Sequence, residues 1–298
     1  MNMDAPLSHN DRRLRVLTEA LKPSRKLRIC DVGANPLSTP PYQGLLNDGA
    51  AEVFGFEPHP EAFAKLQAEK SAAETYFPNA VGAAGTRTLY AHPKSGFTSL
   101  FPLDGARLNR IGKGHLERKD DIVEHQIETI PLDAVEGLPN FDVLKMDVQG
   151  AEKEILDGGT SRLADAMAVV TEVRFYQIYK DEPTFGDLDS TLRAMGFRLY
   201  KFLFTKSVMM PHAHEAEVVR KGLTSQLLDG DAVYLRDVDL DGLGDDTLAH
   251  LALTADAMAD APDLALSCVD RLIAQGKAPE DLPERYIARF RQHQRAKK

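Results

Sequence analysis

Several short apolar runs in this sequence end in side chains able to do chemistry. They lead into Asp31-Val32-Gly33-Ala34-Asn35, Phe56-Glu57-Pro58, Lys145-Met146-Asp147-Val148-Gln149-Gly150 and Glu172-Val173-Arg174. Gly33 lets the backbone approach a ligand with no Cβ in the way, while Asp31 and Asn35 can orient that turn or meet a cationic ligand. Glu57 closes the next run, where a carboxylate can accept hydrogen bonds from both hydroxyls of an adenosine ribose. It could equally cap a helix starting near Pro60. Together the glycine turn and the following acid point to a nucleoside.

The turn itself narrows the choice. Gly33-Ala34-Asn35-Pro36-Leu37-Ser38 lacks the G-x-G-x-x-G spacing that seats a pyrophosphate on a helix N-terminus, and no G-x-x-x-x-G-K-[ST] is present. S-adenosylmethionine carries a sulfonium and an amino acid group in place of phosphates, which suits an acidic, asparagine-containing loop. Transfer from a sulfonium is an in-line displacement needing an aligned acceptor and, for an alcohol, a base. Asp147 is the first candidate base; its other reading is a group that fixes the loop or touches the cofactor. Glu172 and Glu152 rank second. His92, His115 and His125 read first as surface histidines. Tyr176 and Tyr179 could form a platform for an acceptor, as could Phe175, which core packing explains equally well. No ligand spacing demands a metal, and none is expected.

Positioning these residues requires a parallel sheet. The pattern predicts an amphipathic helix over Asp11–Lys22, a strand over Leu27–Val32, a helix over Tyr42–Asn47, a strand over Ala51–Phe56 and a helix over Pro60–Lys70, a βαβ arrangement. Further strands are expected at Thr75–Val81, Thr86–His92, Phe141–Met146 and Ala168–Val173, with helices at Ala151–Leu156 and Phe185–Met195. Phe197–Phe204 and Ala232–Leu235 read as a closing antiparallel pair. The polar, Gly-containing stretch Pro93–Glu124 reads as a lid over the acceptor site. The expected fold class is α/β: a doubly wound, mostly parallel seven-stranded sheet with an N-terminal helix and a helical C-terminal extension. The corresponding segments are 1–26, 27–237 and 238–298. The last would cover the sheet or form a homo-oligomer contact.

Composition limits the partners. The chain has 298 residues, 43% hydrophobic and 27% charged, with a formal net charge of −9, which disfavours nucleic acid as a partner. The basic residues from Arg285 to Lys298 read as a solvated helical tail. No run is long enough for a membrane span. Two cysteines, Cys30 and Cys268, stand far apart in apolar contexts, which fits a reducing, cytoplasmic setting.

With these segments in order, the chain resembles the FkbM family of S-adenosylmethionine-dependent methyltransferases. The resemblance is carried by DVGAN at Asp31–Asn35, GFEPHP at Gly55–Pro60, NAVG at Asn79–Gly82, LKMDVQGAEKEIL at Leu144–Leu156 and VVTEVRF at Val169–Phe175, and covers about Leu27–Asp237. It implies a Rossmann-like class I methyltransferase fold and O-methylation of a hydroxyl on a sugar, glycan or secondary metabolite. It also implies that Asp31, Gly33 and Asn35 hold the amino acid end of the cofactor and Glu57 the ribose. Asn79 and Ala80 would meet the adenine edge, with Ser99 near the cofactor and Asp147 beside the methyl group. Where the family usually has Glu, this chain has Gln149, and Pro36–Pro41 lengthens the loop after DVGAN. Two rival classes share the opening unit: an NAD-dependent or nucleotide-sugar oxidoreductase, which should show the missing glycines, and a non-catalytic binding protein on the same fold, which should have lost the strand-end acids.

Overall fold

The computed structural model describes residues 9–35, 39–117, 121–219 and 222–296. Helix α1 (His9–Ala20) precedes β1 (Leu27–Val32), α2 (Gln43–Asn47), β2 (Ala51–Phe56), α3 (Pro60–Glu69), β3 (Glu74–Phe77), β4 (Ala80–Val81) and β5 (Gly85–Ala91). After α4 (Gly105–Arg110) come β6 (Val123–Ile130), β7 (Val143–Met146), α5 (Glu152–Asp157), β8 (Ala168–Arg174) and α6 (Phe185–Ala194). A long pair, β9 (Phe197–Val208) and β10 (Gln226–Arg236), leads to α7 (Asp245–Ala257), α8 (Pro262–Ala274) and α9 (Leu282–Ala296).

The main sheet has seven strands in the order β3-β2-β1-β7-β8-β10-β9, with β10 antiparallel to both neighbours and the rest parallel. This is the expected doubly wound arrangement. The chain first steps outward from β1 through β2 to β3, then returns to the other side of β1 at β7. The point where strand order reverses therefore lies at the carboxyl ends of β1 and β7, where ligands collect in open α/β sheets.

Strand alternation divides the core between the two faces. Leu27 and Ile29 of β1 face a cluster with Leu14 and Leu17 of α1, Leu45 of α2, and the buried residues of α7, α8 and α9. Cys30 and Val32 face the opposite cluster, built with Ile155 and Leu156 of α5 and Leu188 and Leu192 of α6. Residues Leu248–Asp256 of α7 are all buried, as expected for a helix enclosed by other elements. A buried ion pair joins the two ends of the chain: Arg13 Nε lies 2.6 Å from Asp256 Oδ1, which also receives the Tyr286 hydroxyl. The C-terminal helices thus cover one sheet face.

The structure corrects the reading of Thr75–Val81 as one strand. Glu74–Phe77 closes the main sheet, whereas Ala80–Val81 belongs to a separate three-stranded sheet in the order β4-β6-β5. Pro78 lies at this division; lacking an N–H, it cannot extend a hydrogen-bond ladder. The stretch read as a lid contains α4, whose Asp104 cap accepts from Arg107 N at 3.1 Å. Leu103, Leu108, Ile111 and Leu116 from this stretch form their own core with Ile178, Tyr179, Val208 and Leu228.

The small sheet is tied to α5 by Arg87, which donates to both carboxylate oxygens of Glu154 at 2.9 and 2.7 Å. Glu154 also accepts from Ala83 N at 3.1 Å. Arg87→Ala is expected to cost about 1–2 kcal/mol, because charge-assisted bonds at a half-buried site outweigh an exposed pair. Urea unfolding should show a lower midpoint with unchanged slope.

Candidate functional site

The carboxyl ends of β1 and β2 open into a cavity of about 530 Å³. Gly33, Asn35, Glu57, Asn79, Ala80 and Ser99 all line it, as does Asp147 from the end of β7. Val32, Phe56, Val81 and Leu100 supply apolar wall. Seven of the residues singled out from the sequence thus share one space.

Gly33 is required by two independent constraints. Its φ is +88°, a region side chains rarely adopt, and a Cβ there would lie 2.2 Å from the Asp147 carbonyl oxygen. Asp147 N donates to Val32 O at 3.1 Å, so the turns after β1 and β7 press directly together. Among the described residues, the first helix after the Gly33 turn is α2, which starts at Gln43.

Glu57 stands just before α3 at the edge of the cavity. Its Oε1 accepts from His59 N at 2.8 Å, ahead of α3, and the carboxylate also lines the cavity. Burial pushes its pKa up, partly opposed by the His59 N–H and ring. No side-chain donor pairs with Oε2 among the described residues, so that oxygen can accept from ligand hydroxyls. Ser99 donates from Oγ to Gln149 O at 2.5 Å and accepts from Phe101 N at 3.0 Å, fixing the wall between β5 and the β7 loop.

Asp31 lies elsewhere. It is 2% exposed and does not line the cavity; its side chain points to the α1 and α7 face with Leu27 and Ile29. Lys145, its register partner on β7, donates to Oδ1 at 2.8 Å, and Tyr42 donates to Oδ2 at 2.5 Å. Burial alone would lower the Lys145 pKa, but the carboxylates of Asp31 foremost, then Asp147 and Asp231, together outweigh it and leave the ammonium raised. Neither Lys145 nor Tyr42 was singled out from the sequence.

A second cavity of about 640 Å³ shares Gly96, Asp147 and Gln149 with the first as a common wall. Glu172, Asp229 and Asp231 bring further carboxylates to it, with Arg174 and Lys206; Phe97 and Phe204 add apolar surface. Gln149, at φ +56°, donates its amide to Asp147 Oδ1 at 3.0 Å and Glu172 Oε2 at 2.8 Å. Its carbonyl accepts from the Tyr179 hydroxyl at 3.2 Å and from Arg174 at 3.4 Å. Buried Arg174 also reaches Glu172, Glu182 and Asp229 at 3.3, 3.4 and 3.1 Å.

Burial pushes the Glu172 carboxyl well above its ordinary range; Arg174 opposes this, and Asp147 and Glu152 add to it. Glu152 braces the loop, accepting from Val148 N at 3.0 Å and Gly150 N at 2.9 Å. Burial raises its pKa to about 7 despite those bonds. Its enclosure within this turn corrects its second-rank place among the base candidates.

The amide at Gln149 separates Asp147 from Glu172. In Gln149→Glu a third carboxyl enters the cluster and its pKa rises above the unfolded value. Its penalty is therefore absent below about pH 4.3 and grows as pH rises. Thermal unfolding should show a larger deficit at pH 8 than at pH 5, on the order of 1–3 kcal/mol. An equal deficit at both would contradict this account.

The aromatic platform expected after β8 is not found lining either cavity. Phe175 packs with Phe185 and Phe202 at 5.5 and 5.6 Å between ring centroids, and Tyr176 donates to Arg107 O at 3.1 Å. Tyr179 is buried beneath Arg174. His92 lines the first cavity with Nε2 3.1 Å from Leu116 O, His115 lines the second, and His125 is exposed on β6.

Comparison with known proteins shows the family. Residues 31–199 match the family model described as the methyltransferase FkbM domain, more than half of the chain. Among curated proteins, the 2-O-methyltransferase NoeI of Sinorhizobium fredii is 29% identical over 164 residues, covering 52% of this chain and 66% of the relative. The match therefore spans slightly less than two thirds of that protein. Among solved structures, a magnesium protoporphyrin IX methyltransferase from Synechocystis with bound S-adenosylmethionine has 12% identity and a TM-score of 0.33, covering 71% of each chain. An S-adenosylmethionine-dependent methyltransferase from Mesorhizobium loti has 12% identity and a TM-score of 0.37, covering 77% of this chain and 98% of the other.

Proposed function

We propose that this chain, which belongs to the FkbM methyltransferase family, transfers a methyl group to a hydroxyl oxygen on a sugar, glycan or secondary metabolite. Its cofactor is S-adenosylmethionine, which supplies an electrophilic methyl group on a sulfonium. The observation that carries the finer reading is the common wall of the two cavities, Asp147 and Gln149, between a nucleoside-sized space and an acid-lined one.

The first cavity fits an S-adenosyl nucleoside. Glu57 offers one carboxylate oxygen to the ribose hydroxyls, and Asn79 and Ala80 form the adenine edge between apolar surfaces. Gly33 and Asn35 bring backbone close to the amino acid end. Asp31 acts from behind, holding Lys145 and hence the β1–β7 junction.

The second cavity suits a polyhydroxyl acceptor. Asp147 and its neighbouring carboxylates accept from hydroxyls, while Phe97 and Phe204 can cover the apolar face of a sugar ring. Asp147 orients the acceptor beside the methyl group, and Glu172 backs it through the Gln149 amide. The similarity to a 2-O-methyltransferase supports an oxygen acceptor.

Calorimetric titration with S-adenosylhomocysteine tests the first cavity, with micromolar binding expected. Transfer of tritiated methyl from S-adenosylmethionine to a panel of methyl glycosides tests the second. Label appearing only on amine acceptors would overturn the O-methyl reading.

A further inference from the structure

We propose that Asp231, in the middle of β10, is the group that takes the proton from the acceptor hydroxyl. It has this role only if the acceptor is a hydroxyl, as proposed for the site.

The carboxylates around the second cavity are not equally available. Asp229 is held by Arg174 at 3.1 Å and Lys206 at 3.4 Å, and Glu172 by the Gln149 amide at 2.8 Å and Arg174 at 3.3 Å. Asp147 receives the same amide at 3.0 Å. Asp231 lines the cavity half-buried, yet among the described residues its carboxylate accepts no hydrogen bond and joins no ion pair. Buried polar atoms ordinarily find partners, so lone pairs left open toward a cavity are available to an incoming donor.

The backbone aims it there. A Cβ at Gly230 would lie 2.6 Å from Phe204 O, and the β9–β10 register slips between Asp231 and Ala232, a bulge of the kind that redirects side chains beside active sites. Facing Asp231 are its register partner Glu172 and Arg174 from β8, Lys145 and Asp147 from β7 and its loop, Lys206 from β9 and Asp229 from its own strand. Lys94, Lys113 and His115 line the same cavity from the segment before β6. Burial, then the Asp147 charge, raises the Asp231 pKa to about 6; Lys145 opposes and Asp229 adds. Such a carboxylate is ionised at neutral pH and more basic than an ordinary aspartate.

The chemistry balances without another reactant. The acceptor oxygen–methyl bond forms as the methyl–sulfur bond breaks, and sulfur keeps that electron pair. The hydroxyl proton passes to an Oδ of Asp231 and from there to water.

The test uses the full chain labelled with ¹³C at aspartate carboxyl carbons. In the S-adenosylhomocysteine complex, one resonance missing from Asp231→Asn should titrate near pH 6. In the S-adenosylmethionine complex the added positive charge should lower its midpoint by about half a pH unit or more. Asp231→Glu provides the same assignment if the amide variant does not fold. Asp231→Asn should retain S-adenosylhomocysteine affinity, lose about 100-fold in methyl transfer to glycosides, and lose the limb near pH 6 from its kcat/KM profile. A midpoint in the ordinary aspartate range, or one indifferent to cofactor charge, would overturn the role of Asp231 while leaving O-methylation standing. Transfer only to nitrogen would overturn the O-methyl reading even with the titration as expected, and the hydroxyl's base with it.

Discussion

Glu57→Ala is expected to weaken S-adenosylhomocysteine binding by on the order of 10²–10³-fold, which would take a micromolar ligand out of calorimetric range. The size follows from the bonds lost. A carboxylate accepting from two ribose hydroxyls makes charge-assisted bonds of about 1.5–3 kcal/mol each, and water entering the truncated site recovers part of that. The free protein already has Glu57 buried with a raised pKa, chiefly by loss of solvation. A raised carboxyl pKa means that the ionised form is disfavoured until a donor arrives, so affinity should fall as pH drops through that raised value. Glu57→Gln, which cannot ionise, should bind weakly with no such dependence. Wild-type affinity in Glu57→Ala would remove the ribose assignment, whatever the acceptor.

The residues that were legible in the sequence are those whose position along a strand decides their role. Gly33, Glu57 and Asp147 stand where apolar runs stop, and in a parallel sheet those ends collect on one side. Which face a strand-end side chain takes was not legible for Asp31. Leu27, Ile29, Cys30 and Val32 are apolar on both faces, so alternation carries no marker, and only Lys145 and Tyr42 reveal which way the carboxylate turns.

Strand β6 was missed for the opposite reason. Its sequence, Val-Glu-His-Gln-Ile-Glu-Thr-Ile, is mostly exposed, so neither face reads as core until β5 pairs with it. Asp231 was hidden by Gly230 and two acids, which interrupt the strand pattern and moved its expected start to Ala232. One signal was present: Asp229 and Asp231 are two apart, so an extended backbone puts both on one face.

Asp147→Ala is expected to separate turnover from cofactor binding. Asp147 lies in the wall between the two cavities, and its carboxylate receives one amide hydrogen bond from Gln149. Neither the Glu57 contact nor the Gly33 turn uses that side chain, because Gly33 is packed against the Asp147 backbone carbonyl. S-adenosylhomocysteine affinity should therefore change little. Methyl transfer to glycosides should fall by on the order of 10²-fold, since alignment of the acceptor oxygen is what the side chain contributes and small misplacements cost that much. The same substitution removes the neighbouring charge that helps raise Asp231. The limb of the kcat/KM profile near pH 6 should thus move to lower pH, rather than vanish as in Asp231→Asn. If that limb vanished in Asp147→Ala and persisted in Asp231→Asn, the two carboxylates would exchange roles, with Asp147 taking the proton. A loss of S-adenosylhomocysteine affinity matching the loss of turnover would instead make Asp147 a cofactor contact.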